Sequence, residues 1–251
     1  ETLPPPDKDS VKIGLKYANN DICYPAIVTI GDIIKALRSG KYPMDETAVA
    51  FSETGGQCRA TNYVSLIKKA LLQAGFDNIP VISTSFSKQS SNAQPGFSLN
   101  RPKLISLIFS GLLVIDQLLR MYHATAFREK VKGKSLAVLK THIDNARRHI
   151  GKWTIKNSRD VLEKAIRDFN RIKTHPGIYP QAGLVGEIYV KYNPFSNGDI
   201  VNRLMNEGIQ VTIPPLITFF IQTFVNIPFN HSHNIQDSNI MDRKGLSLVE
   251  K

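Results

Sequence analysis

Residues 47–84 read TAVAFSETGGQCRATNYVSLIKKALLQAGFDNIPVIST, and this stretch decides the fold class. Thr47–Phe51 is a short apolar run of strand type, Tyr63–Ala74 is a helical pattern closed by Gly75, and Ile79–Thr84 is a second apolar run. A strand, a helix of this length and another strand form a parallel βαβ unit, whose crossover is almost always right-handed. Thr54–Tyr63 then occupies a strand-to-helix turn, where α/β folds gather their ligand-handling groups. It holds two glycines, Cys58 and Arg59.

Upstream, the alternation in Val11–Tyr17 (VKIGLKY) predicts another strand. Ala26–Leu37 carries Ile27, Ile30, Ile33, Ile34 and Leu37 at helical spacing, with Gly40 just beyond as a C-terminal glycine. Residues 1–10 are proline-rich and read as a linker; with no initiator Met, the chain reads as a segment of a longer protein. Downstream, Ser85–Asn100 is rich in Ser, Gln and Asn and reads as a linker or mobile loop. Leu104–His123, Ser135–Gly151 and Ser158–Lys173 each read as helix, with Ser158 expected as an N-cap. The chain then returns to α/β. Leu184–Tyr192 is expected as a strand, Gly198–Glu207 as a short helix ended by Gly208, Ile209–Ile213 as a strand and Pro215–Val225 as a helix, with a patternless tail after Pro228. The expected fold class is therefore α/β, a parallel sheet in two halves with a helical insertion. The segments are 11–100, a first half holding both cysteines; 101–175, a basic helical insertion; 176–227, a second half; and 228–251, a tail.

The chain has 251 residues, of which 42% are hydrophobic, enough for a sizeable core. The longest apolar stretch, Leu104–Leu119, is interrupted by Ser106, Ser110, Asp116 and Gln117, so no membrane span is expected. Two cysteines and no recognisable signal peptide favour a reducing, cytoplasmic setting. The net charge is +11, and Arg120–Lys173 alone holds fifteen Lys/Arg against five Asp/Glu. Such a block can face nucleic acid, an anionic cofactor such as a CoA phosphate, or an acidic partner; a set of solvated helix faces is the plainer alternative. Few aromatics and no recognisable module place nucleic acid last. Walker A and GxGxxG loops are both missing.

Cys23 and Cys58 are expected at two successive strand ends, on one rim of a parallel sheet. They are either ligands or small buried apolar residues, since free cysteines often pack in cores. Zinc sites favour a short C-x₂₋₄-C spacing that is lacking here, whereas iron–sulfur thiolates can lie far apart in sequence. Two thiolates leave the set incomplete; His231 and His233 (HSH) are candidate additions, with a solvated pair as the alternative. Gly55, Gly56 and Gln57 form a turn whose N–H groups could cradle an anion, with Arg59 adding charge, or an ordinary tight turn. Glu187 and Lys191 would share a strand face beside Tyr189, and Asn19, Asn20 and Asp21 flank Cys23 as turn-formers or hydrogen-bonding groups.

Four segments together, NNDICYPA (19–26), GDIIKALRSGKY (31–42), SETGGQCRATNYVSLIKKAL (52–71) and GLVGEIYVKYNPFSN (183–197), resemble the large proteins related to the activators of 2-hydroxyacyl-CoA dehydratases. The similarity lies in their dehydratase-like portion and covers roughly residues 10–225. The resemblance implies a flavodoxin-like fold and a [4Fe–4S] cluster held by cysteines at strand ends, with Cys23 and Cys58 at the matching places. It implies an ATP-dependent activator region or subunit, a second dehydratase-like domain as partner, and acyl-CoA as ligand. In that reaction one electron makes a ketyl radical on an acyl-CoA thioester, which lets an unactivated hydroxyl leave. The dehydratases take a third cysteine from a later domain, and this chain has none. The competing expectation is a non-catalytic interaction domain of the same fold, without a cluster, that docks a partner through its basic helices.

Overall fold

The computed structural model describes residues 2–19, 21–51, 58–83, 101–149 and 155–233. The chain divides into two units, Glu1–Ser98 and Leu99–Lys251.

The first unit begins with a helix, α1 (Lys8–Tyr17), where alternation predicts a strand. Two features overrule the alternation. Asp7 and Ser10 form a reciprocal cap: the Ser10 N–H donates to Asp7 Oδ1 at 3.0 Å and the Asp7 N–H to Ser10 Oγ at 3.1 Å. The inward residues are Ser10, Ile13, Gly14 and Tyr17, which is helical spacing, while Leu15 is 48% exposed. This face lies directly on α2 (Tyr24–Arg38). A Cβ on Gly14 would sit 1.9 Å from the Ile27 carbonyl oxygen, and one on Gly31 would sit 1.7 Å from that of Ser10. The two backbones are therefore in contact, and only glycine fits at both positions. Lys35 ties the crossing together, with Nζ 2.9 Å from Asp7 Oδ1, 2.7 Å from Ser10 Oγ and 3.7 Å from Asp32 Oδ1. Its hydrogen bond holds the Asp7 carboxyl down to about 2, while burial pushes the Asp32 carboxyl up.

The βαβ unit forms as its pattern predicts. Strand β1 (Val49–Phe51), helix α3 (Tyr63–Ala74) and strand β2 (Val81–Ser83) follow in order, and the strands pair in parallel with Val49 opposite Val81. Gly75 ends α3 at φ 81°, a left-handed conformation suited to glycine. Ile34, Val64, Ile67, Leu71 and Val81 are buried together in this unit's core. Each contributes about 1.5–3 kcal/mol on burial.

In the second unit, α4 (Arg101–Ala126), α5 (Lys134–His149) and α6 (Ile155–Asn170) realise the helical block. They meet through Val114, Leu118, Leu139, Ala165 and Phe169. The buried His142 bonds Asp168 Oδ2 at 3.0 Å and so links α5 to α6. Ser158 does not cap α6; it is 1% exposed inside the helix, which starts three residues earlier at Ile155.

Strand β3 (Gln181–Gly183), the short helices α7 (Ile188–Tyr192) and α8 (Ile200–Asn206), strand β4 (Gln210–Thr212) and helix α9 (Leu216–Ser232) complete the unit. Here β3 pairs with β4 in parallel, with Ala182 opposite Val211. The expected strand Leu184–Tyr192 is not one. Gly186, at φ 134°, leaves the extended path, and the Glu187 carboxylate accepts the Val190 N–H at 2.8 Å, which opens α7. Glu187 and Lys191 thus belong to a helical turn rather than to a strand face. Helix α9 also runs past Pro228, beyond the point where a tail was expected. The architecture is α/β and helix-rich, and its described strands form two separate two-stranded parallel sheets.

Candidate functional site

Cys23 lies between two helices. After α1 the Asn19 side chain accepts the Asp21 N–H at 3.1 Å and the Asn19 carbonyl accepts the Ile22 N–H at 3.1 Å, closing a turn. Cys23 then stands at the N-cap of α2, with Pro25 in the first turn and no hydrogen bond from its own side chain to the helix. The expectation that a strand delivers Cys23 to a sheet edge fails for the reason that α1 is helical. Cys23 instead opens a helix, as the N-cap of α2.

Cys58 follows β1, as expected. It caps a 3₁₀ turn, Arg59–Asn62, that leads into α3, and its Sγ accepts the Ala60 N–H at 3.5 Å. Phe51 and Tyr63, on either side of the loop, hold their rings 6.0 Å apart. Gly55, Gly56 and Gln57 lie outside the described residues.

Arg59 joins the two loops. Its Nη1 donates to the Asp21 carbonyl at 3.2 Å across 38 positions of sequence. The residue after Cys58 therefore grips the turn two residues before Cys23. Both thiols stand at helix starts, where unsatisfied N–H groups favour a negative ligand. Neither is core: Cys23 is half-buried and Cys58 exposed, and both are free thiols. Two thiolates can hold part of a metal centre. Among the described residues, no three His, Cys, Asp or Glu side chains converge to complete one. His233, a candidate further ligand, stacks on Phe229 at 4.1 Å and is hydrogen-bonded within the end of α9.

A second cluster, not singled out from sequence, surrounds a cavity of about 310 Å³ in the second unit. Asp116 of α4 is 5% exposed, and its two carboxylate oxygens accept the N–H groups of Leu216 at 3.0 Å and Ile217 at 2.8 Å, at the start of α9. The Tyr192 hydroxyl donates to the Pro214 carbonyl, and burial, with Asp116 nearby, pushes it up to about 12. Burial pushes His123 down to about 4, so its ring is neutral at ordinary pH. The sequence signal was present: Asp116 interrupts an apolar run, and a charge on the inner face of a helix needs a partner.

Comparison with family models, with curated proteins and with solved structures finds no match to this chain.

Proposed function

We propose that the first unit is an iron–sulfur redox module of the 2-hydroxyacyl-CoA dehydratase or activase-related type, with Cys23 and Cys58 as two thiolate ligands of a [4Fe–4S] cluster. The observation that carries this is the Arg59–Asp21 hydrogen bond, which brings two cysteine-bearing loops together although 35 residues separate the thiols. The donor set is compatible: both thiols are free, neither is packed in the core, and Cys23 makes no cap bond that a ligand would have to break. When bound, such a cluster supplies one-electron chemistry.

The chain's own residues hold the site. The glycine crossing of α1 and α2 fixes both ends of the Asn19–Cys23 turn. Arg59 latches that turn to the Cys58 loop and adds positive charge beside an anionic ligand. Gly55, Gly56 and Gln57 complete the loop as the anion-binding part of the proposal. The missing thiolate comes from a further domain or partner, and an ATP-dependent activator region supplies the electron that drives acyl-CoA dehydration. A flavodoxin-like sheet, extended beyond the strands described, and a cytoplasmic setting belong to the same proposal. The absence, among the described residues, of a helix long and apolar enough to cross a membrane agrees with that setting.

Anaerobic reconstitution with iron and sulfide tests it. The wild-type chain should take up both and protect Cys23 and Cys58 from iodoacetamide, which alkylates them in the metal-free protein. Cys23→Ala and Cys58→Ala should each lose the iron. Equal iron uptake by the double variant, or alkylation unaffected by reconstitution, would sink the proposal. Thiols that resist alkylation in the metal-free native protein would favour the interaction-domain alternative.

A further inference from the structure

The cavity of about 310 Å³ in the second unit lies along β4, with Gln210–Ile213 on one wall and α4 on another. The volume falls at the lower end of small-molecule sites, which run roughly 300–1,000 Å³. Its lining joins apolar groups to a few converging polar ones.

The charges select the ligand. Asp116 is spent: both oxygens accept N–H groups at the positive end of α9. The Tyr192 hydroxyl donates its proton to Pro214. Arg120, one helical turn beyond Asp116, is exposed at the mouth and forms no ion pair among the described residues. His123, the next polar residue along the same wall, is held neutral and makes no hydrogen bond among the described residues. The cavity thus presents one uncommitted cation and one uncommitted neutral hydrogen-bonding ring. A second negative charge on the ligand would face Asp116 with nothing to offset it, which disfavours phosphate.

We propose that this cavity binds a small monocarboxylate with a short apolar body, the carboxylate on Arg120, a polar group on His123 and the body against Val211 and Ile213. The site uses residues of the second unit alone, so it stands or falls separately from the cluster proposal.

Butyrate is the probe, titrated into the full chain and followed by backbone amide resonances. Butyrate should shift the amides of Gln210–Ile213, whereas butyramide, of the same shape without the charge, should bind at least about tenfold more weakly. Arg120→Gln, at an exposed position that leaves folding intact, should weaken butyrate about tenfold to a hundredfold, with Arg120→Lys recovering part of the loss. Arg159→Gln, on the surface of α6, should change nothing. No shift at Gln210–Ile213, equal response to butyrate and butyramide, tighter binding of inorganic phosphate, or wild-type affinity in Arg120→Gln would each overturn the proposal.

Discussion

Helices α1 and α2 meet backbone against backbone, whereas α4, α5 and α6 meet through side chains. In the first pair Gly14 and Gly31 leave no room for a single methyl group on either side. In the second set Val114, Leu118, Leu139 and Phe169 interdigitate, and Gly111 on α4 has open space where a Cβ would go. A contact limited by the backbone has no slack. It therefore holds the Asn19–Cys23 turn, pinned at both ends by the two helices, in one place. A contact made by side chains adjusts and leaves gaps; in the same unit α4 also walls a cavity large enough for a small molecule. The first arrangement suits a rigid ligand set and the second a pocket.

The largest effect expected from breaking this contrast is at the glycines. Gly31→Ala or Gly14→Ala must push α1 off α2, because the obstacle is a carbonyl rather than a side chain that can swing aside. Chemical denaturation should show a loss of at least about 4 kcal/mol, in the range reserved for severe steric defects. If α1 separates without global unfolding, Cys23 should become more reactive to iodoacetamide while Cys58 changes less. Wild-type stability in Gly31→Ala would break the contrast outright.

A smaller effect belongs to the second unit. His123 is held at about 4 by burial, against 6.5 for an ordinary histidine. Between these values the unfolded chain binds a proton that the folded chain does not, so stability falls as pH is lowered through this window. The full loss is about 3 kcal/mol. Urea midpoints measured across the window should decline, and His123→Gln should flatten the slope. A slope unchanged in that variant would assign the acid sensitivity elsewhere.

The smallest effect sharpens the comparison from its permissive side. Gly111→Ala should raise stability by about 0.5–1 kcal/mol, since a helical glycine with free space around it gains only from losing backbone freedom in the unfolded chain. A loss instead would mean that the side-chain-packed helices are as tight as the glycine crossing.

Some of this is legible in the amino-acid sequence alone. Helix α2, helix α3 and the strands β1 and β2 stand where their local patterns place them: each helix buries an apolar stripe, and Val49, Phe51 and Val81 of the strands pack on the same core. Cys58 after a strand and the glycine stop at Gly75 were equally visible. Helix α1 was not, because its cap begins at Asp7, inside a stretch that reads as linker, and because VKIGLKY also alternates like a strand. Helix α7 was missed because the apolar run Leu184–Tyr192 hides a turn at Gly186 and the cap at Glu187. The Arg59–Asp21 latch has no sequence signature, since an exposed arginine has many carbonyls within reach.

The amino-acid sequence by itself determined the α/β class, the helical block with its basic charge, the parallel β1–α3–β2 unit and the two thiols as the groups to watch. Those properties follow from residues within a few turns of one another. Tertiary structure alone decided that α1 lies backbone to backbone on α2, that the loops of Cys23 and Cys58 adjoin, and that Asp116 caps a helix a hundred residues away beside a cavity. Each depends on a contact between distant parts of the chain: a glycine against a carbonyl, a guanidinium on a turn, a buried carboxylate on a helix start. Local pattern constrains none of them, because the partner that fixes the conformation enters only when the chain packs.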